Sequence, residues 1–236
     1  MRLETYIWSA DLGEVKDFTA VAALKVERTK APGDRRSFDA AHPFYTLGVL
    51  KRFNAADRGE LVNHHIPGLD FYETLGRFLL ATFRNAEKPY KGNSCLVVDG
   101  TGSGRDATTR FLRGELSRTV PIFPLQIRSG ETTAGQHRSG FIQVGRREVL
   151  TCLHSVLDSR RLVAVAGLDL WPMLQKELLS VRYKEPRKDG QKPDDNPRLS
   201  AHDDLALSIA QAVWIVEKRA TSGVAGGVFP VRWGSS

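Results

Sequence analysis

The first quarter of the chain is written in short apolar blocks separated by polar links. Tyr6-Ile7-Trp8-Ser9-Ala10 has strand length and closes on Asp11, so residues 5–10 are predicted as a strand. Asp11-Leu12-Gly13-Glu14-Val15-Lys16 supplies turn chemistry, and Asp17 to Glu27, rich in Val, Ala and Leu, is predicted as a second strand. A polar stretch from Arg28 to Ala41, with Pro32-Gly33-Asp34 at its centre, leads to a third strand between His42 and Phe53. Three strands in series predict an antiparallel meander.

The period then changes. Leu69, Tyr72, Leu75, Leu79 and Phe83, with Phe71, Phe78 and Leu80 beside them, form a broad apolar helix face between Gly68 and Asn85. Ser94 to Val98 is almost wholly apolar, as a central strand covered on both faces would be. Gly100-Thr101-Gly102-Ser103-Gly104 turns the chain into a helix carrying Phe111, Leu112 and Leu116. Thr119 to Arg128 is predicted as a strand, and Pro121 and Pro124 argue for an edge position. The glycine-rich stretch Ser129 to Gly140 is predicted as a mobile loop. Helices follow over Arg146–Asp158, Asp169–Tyr183 and Asp203–Lys218, with a short strand at Leu162–Ala166 and an exposed polar segment at Glu185–Arg198. Strands first, then helices alternating with strands, predict one mixed α/β domain over residues 1–218, with a flexible tail at 219–236.

Charge narrows the partners. Lys and Arg number 34 against 27 Asp and Glu, a formal net charge of +7, which favours a phosphate backbone or an anionic surface. No apolar run approaches the ~20 residues of a membrane span, and the start lacks the apolar core of a signal peptide. Cys95 and Cys152 both lie in apolar periodic segments and are expected to be buried reduced thiols, with no zinc site. A soluble, intracellular protein is expected.

Against that basic background three acidic sites stand out. Asp11 and Asp99 (in Leu96-Val97-Val98-Asp99-Gly100) each close a strand, and Asp203-Asp204 open the last helix. Asp is common in turns, and acids in a first helical turn favour the helix dipole, which would account for one of the pair. A carboxylate held at the end of an apolar strand is less easily explained. Acids so placed can converge on one edge of a sheet, where hard cations such as Mg²⁺ or Mn²⁺ take oxygen ligands. Asp17 reads as structural. The glycines after Asp99 lack dinucleotide-site spacing and the Lys-Ser/Thr of a triphosphate loop, so no nucleotide cofactor is expected; they allow close packing or close approach of a strand of nucleic acid. His64, His65 and His154 read as surface or packing residues. His137 and Arg138, the Arg146-Arg147 pair, and Arg187 with Lys188 in the basic stretch 182–192 are candidates for a DNA track.

The order of these motifs resembles the C-terminal nuclease domain of the large terminase subunit of tailed bacteriophages, of the ribonuclease H and RuvC-like superfamily. The resemblance rests on Asp11, Asp17-Phe18-Thr19-Ala20, Leu96-Val97-Val98-Asp99-Gly100-Thr101-Gly102, Arg161-Leu162 and His202-Asp203-Asp204-Leu205-Ala206-Leu207, and spans residues 5 to about 218. It implies a ribonuclease H-like mixed sheet flanked by helices, and a metal-dependent endonuclease that cuts concatemeric double-stranded viral DNA in the host cytoplasm. It also implies two Mg²⁺ or Mn²⁺ ions on Asp11, Asp99 and Asp203, with Asp204 a fourth ligand. The implied partners are a packaging ATPase domain, a small terminase subunit and a portal. Nothing here matches the nucleotide-binding motifs of that ATPase. A junction resolvase or transposase-type nuclease, and a non-catalytic DNA-binding module, remain the rival readings.

Overall fold

The computed structural model describes residues 2–13, 18–29, 42–54, 59–64, 66–85, 94–102, 104–128, 135–136, 140–180 and 203–221. The strands are β1 (Arg2–Asp11), β2 (Thr19–Thr29), β3 (Phe44–Phe53), β4 (Ser94–Asp99), β5 (Ile122–Arg128), β6 (Gly135–Gln136), β7 (Ile142–Gly145) and β8 (Leu162–Ala164). They form one sheet in the order β6-β7-β5-β4-β1-β2-β3-β8. β1, β2 and β3 are the antiparallel meander, whereas β4 joins β1 in parallel and β5 and β7 continue outward in parallel. The helices are α1 (Phe71–Asn85), α2 (Gly104–Arg113), α3 (Glu115–Thr119), α4 (Arg146–Asp158), α5 (Trp171–Ser180) and α6 (Asp204–Thr221). The mixed, helix-flanked sheet implied by the resemblance is present.

Strand periodicity sorts the helices into two layers. Ile7, Ala20, Ala22, Leu24, Cys95 and Val97 face one core with residues of α4, α5 and α6. Trp8, Ala10, Val21, Ala23, Leu96 and Val98 face the other with residues of α1, α2 and α3. Because side chains alternate along a strand, Asp11 and Asp99 lie in the same set as Ile7 and Val97, on the α6 side of the sheet. α6 is mostly apolar, and every residue from Leu205 to Val216 is buried, Ser208 and Gln211 included. It packs on β1 and β2 with one side and on α4 with another, which is why no polar face survives in its middle.

Polar contacts fix α6 in register. Ser9 Oγ donates to the Ser208 carbonyl at 2.6 Å, tying β1 to the second turn of the helix two residues before Asp11. At the far end Arg161 reaches Glu217 Oε1 at 2.6 Å and the Tyr45 hydroxyl donates to the same oxygen at 2.7 Å. Partly and fully buried polar contacts of this kind leave few alternatives for how the helix seats on the sheet.

Four expectations need correction. β5 is an interior strand, between β4 and β7, despite its prolines. Pro121 precedes the strand, and β7 pairs with β5 only from Leu125, so Pro124 lies beyond the end of that partner and breaks no bond to it. The helix after Asp99 is two helices, broken at Gly114, whose backbone is extended with φ −89° and ψ −169°. Gly135–Gln136, placed in a mobile loop, pair with β7. Finally, α6 continues to Thr221, past the end expected at Lys218.

Gly100 shows why a glycine follows Asp99. A Cβ there would collide with the Phe141 ring and stand 3.0 Å from Thr108 Oγ1. Close packing, the first of the two roles expected for these glycines, is its observed role. Gly100→Ala is therefore expected to cost about 1–3 kcal/mol of stability. Urea denaturation measures this, and an unchanged midpoint would contradict the packing.

Candidate active site

Asp11 and Asp99 are the last residues of β1 and β4 and are register partners across the parallel pair. Asp99 is held by its own turn. The Thr101 N–H and hydroxyl both donate to its Oδ1, at 2.9 and 2.5 Å, while Thr101 Oγ1 accepts the Ile127 N–H at 2.8 Å. Asp followed two residues later by a donor is ordinary Asx-turn chemistry, and here it fixes a carboxylate 6% exposed to solvent.

The third acidic site divides. The Leu207 N–H donates to the Asp203 carbonyl at 2.9 Å, which makes Asp203 the N-cap residue, and α6 begins at Asp204. Asp203, expected inside the first turn of the helix, thus stands just before it; His202 lies outside the described residues. The side chains part company. Asp203 is ion-paired with Arg146, the first residue of α4, and Asp204 with Arg52 of β3, Nη2 to Oδ2 at 3.1 Å. Arg52 is further held by stacking 3.6 Å from the Phe18 ring centroid.

The helix start is capped from elsewhere. Glu177 of α5 accepts the Ala206 N–H at 2.9 Å through Oε2, the bond an N-cap side chain would normally take. Glu177 is 4% exposed, and its Oε1 is buried without a hydrogen-bond partner. Burial pushes its carboxyl up to about 7, helped by the charge of Asp204 and opposed by the Ala206 bond.

These groups feel one another strongly. Burial, then the charges of Asp99 and Asp204, hold the Asp11 carboxyl well above its ordinary range, against the pull of Arg146. Burial lifts Asp99 to about 6 in spite of the Thr101 bonds. Arg146 is itself drawn down by burial and supported by Asp11, Asp99 and Asp204, so one guanidinium is countercharge to the whole cluster. Among the described residues no three acidic, histidine or cysteine side chains are gathered as ligands of a single ion would be. The donor set nevertheless suits a hard divalent cation, being carboxylate oxygen throughout, largely buried, and short of positive charge.

Of the expected DNA contacts, Arg146 points into the acids and Arg147 is exposed beside it. His137, Arg138, Arg187 and Lys188 lie outside the described residues, as do Asp17 and His65. His64 packs edge-on against Phe78, and Cys95 and Cys152 are free thiols. Sequence reasoning missed Glu177, Arg52 and Thr101. Glu177 falls three residues after Leu174 on the apolar stripe of its helix, and Arg52 two after Leu50 on the inward side of its strand. A charged residue on an inward face was the available signal.

No protein-family model matches the chain, and no curated protein matches it. Among solved structures the chain is similar to the large terminase nuclease from thermophilic phage G20c, over 89% of this chain and 81% of that one, with 16% identity and a TM-score of 0.45. That is a likeness of chain path alone. No described helix is long and apolar enough to cross a membrane.

The raised carboxyls have a thermodynamic consequence. An acid with a higher pKa in the folded state binds its proton more tightly there, so folding is favoured below the unfolded value and this contribution is lost as pH rises through the folded one. For Asp99 and Glu177 that window runs from 3.8 and 4.5 up to about 6 and about 7. The melting temperature of metal-free protein is expected to fall across it, and Asp11→Asn should flatten the fall by removing one repelling charge. A melting temperature that climbs from pH 5 to 7.5 in the wild type would contradict the arrangement.

Proposed function

We propose that this protein is a metal-dependent endonuclease acting on double-stranded DNA. The observation that carries the reading is the register pairing of Asp11 with Asp99 at the ends of adjacent parallel strands, facing the acidic start of α6. Such a focus of carboxylates in a chain of net charge +7 suits a polyanionic substrate whose charge is balanced at the point of attack.

The residues would divide the work by position. Asp11, Asp99, Asp203 and Asp204 would hold the metal, with Asp11 the acid that feels both Asp99 and Asp204. Thr101 keeps Asp99 oriented, and Glu177 keeps the start of α6 in place. Bound there, Mg²⁺ or Mn²⁺ would supply the charge neutralisation and water activation that phosphodiester hydrolysis requires. Arg105, Arg128 and Arg147 are exposed where α2 begins, β5 ends and α4 begins, all at the Asp99 end of the sheet, and would take the flanking phosphates. The order of sequence motifs favours genome packaging in a tailed phage as the setting. A packaging ATPase domain, a small terminase subunit and a portal are the partners that setting assigns.

Plasmid nicking with Mg²⁺, Mn²⁺, Ca²⁺ and EDTA tests the activity. Asp11→Asn and Asp99→Asn are each expected to lower the Mn²⁺-supported rate by at least about a hundredfold. Both should keep the far-UV spectrum of the parent. Wild-type rates in the two variants, or cleavage indifferent to EDTA, would sink the assignment.

DNA affinity should fall steeply with salt. Replacing Arg128 and Arg147 with Gln is expected to reduce the slope of log K on log salt by roughly 1 for each phosphate that is no longer neutralised. Fluorescence anisotropy across a salt series measures it. A slope identical to wild type would remove these two arginines from the DNA track.

A further inference from the structure

Two ion pairs stand where a divalent cation would need its ligands. Asp203 is engaged by Arg146 and Asp204 by Arg52 at 3.1 Å. Neither arginine is a loose surface residue. The Arg52 side chain is 11% exposed and that of Arg146 23%, against 16% and 15% for their acids. Each is seated by its element: Arg146 opens α4 directly after β7, and Arg52 is clamped by the Phe18 ring and by Met173 Sδ, 2.9 Å from its Nη1. Asp11 and Asp99, by contrast, meet each other in register, and among the described residues Arg146 is the cation whose charge offsets both.

We infer that Arg146 and Arg52 are resident counter-cations of the acid cluster, which hold Asp203 and Asp204 away from Asp11 and Asp99 until a divalent cation displaces them. This rests on the reading of the cluster as a metal site. It accounts for a dense set of carboxylates in which, among the described residues, no three are yet grouped around one point. Two arginines stabilise the fold when the cluster would otherwise carry unbalanced buried charge. The same two compete with the ion for the oxygens of Asp203 and Asp204. A released guanidinium would remain at the mouth of the site with its donors open to a phosphate oxygen, a role to which its planar fork is suited.

The experiment is calorimetric titration of MnCl₂ into the full chain as wild type, Arg146→Gln, Arg52→Gln and Arg146→Lys, with far-UV spectra as the check of folding. Each Gln variant is expected to bind Mn²⁺ about tenfold more tightly than wild type, while Arg146→Lys, which keeps the charge, stays within about threefold. The Gln variants should also melt lower without metal and gain more on adding it. Wild-type protein labelled with ¹⁵N-arginine supplies a measurement independent of variant folding. The Nε–H resonances of Arg146 and Arg52 are expected to move on titration with diamagnetic Mg²⁺. Folded Gln variants that bind Mn²⁺ no more tightly than wild type, or arginine resonances that stay still while Mg²⁺ binds, would overturn the inference and leave the metal site standing. Absence of Mn²⁺ binding in every chain would remove the metal reading itself, and the inference with it.

Discussion

Gathering like charges at the end of a sheet is the constraint on which the rest of this structure turns. Asp11 and Asp99 are brought side by side by strand pairing, and Asp204 is added from a helix that must dock at one height on that sheet. Each carboxylate is partly withdrawn from water, so desolvation and mutual repulsion both act against the ionised cluster. Such a site persists only where the surrounding packing leaves no lower-energy position for its parts. The fold supplies this on both sides: Ser9 pins α6 two residues before Asp11, and the Arg161–Glu217–Tyr45 network pins its far end.

The burial pattern follows from the same requirement. A helix that only covered a sheet would keep a polar face, and small shifts along it would cost little. α6 is buried on every side between Leu205 and Val216, with Ala206, Ala210 and Ala212 admitting close neighbours. Slippage by one residue would drive large side chains into positions shaped for small ones, so the position of Asp204 is set by the packing of residues well beyond it. Gly100 plays the matching part for Asp99, since Phe141 occupies the space a side chain would need.

Much of this is legible in the chain itself. Period two in residues 5–53 and period 3.6 in the helices reflect burial of one face, and burial is what sequence records most directly. The ends of β1 and β4 are legible because an Asp terminates an apolar run in each. Where sequence reasoning fails, the cause is context at long range. Pro124 signals an edge only if both flanking partners extend past it, and the length of β7 cannot be seen from β5. Arg146 and Arg147 read as one basic pair, yet their side chains leave the helix about 100° apart, so one enters the acids and the other faces solvent. Glu177 and Arg52 escape notice because a charged residue on an inward face has meaning only once its partner, from a distant segment, is known.

Asp203 and Asp204 carry this lesson to its end. Adjacent in sequence and identical in chemistry, they differ because the helix begins between them. Asp203 stands at the N-cap, yet the capping bond to the Ala206 N–H is made by Glu177. Its carboxylate is therefore available to Arg146 and is not committed to its own backbone. Asp204, one residue on, faces Arg52 and is the member of the pair that Asp11 feels. A capping Asp would be held to the helix by hydrogen bonds to N–H groups, with little freedom to turn toward an ion. By transferring the cap to α5, the fold leaves the Asp203 carboxylate with Arg146 as its charge partner. An ion pair can be exchanged for another cation at modest cost, whereas a buried backbone N–H left without an acceptor cannot. The distant Glu177 thus frees Asp203, at the N-cap, for its ion pair with Arg146.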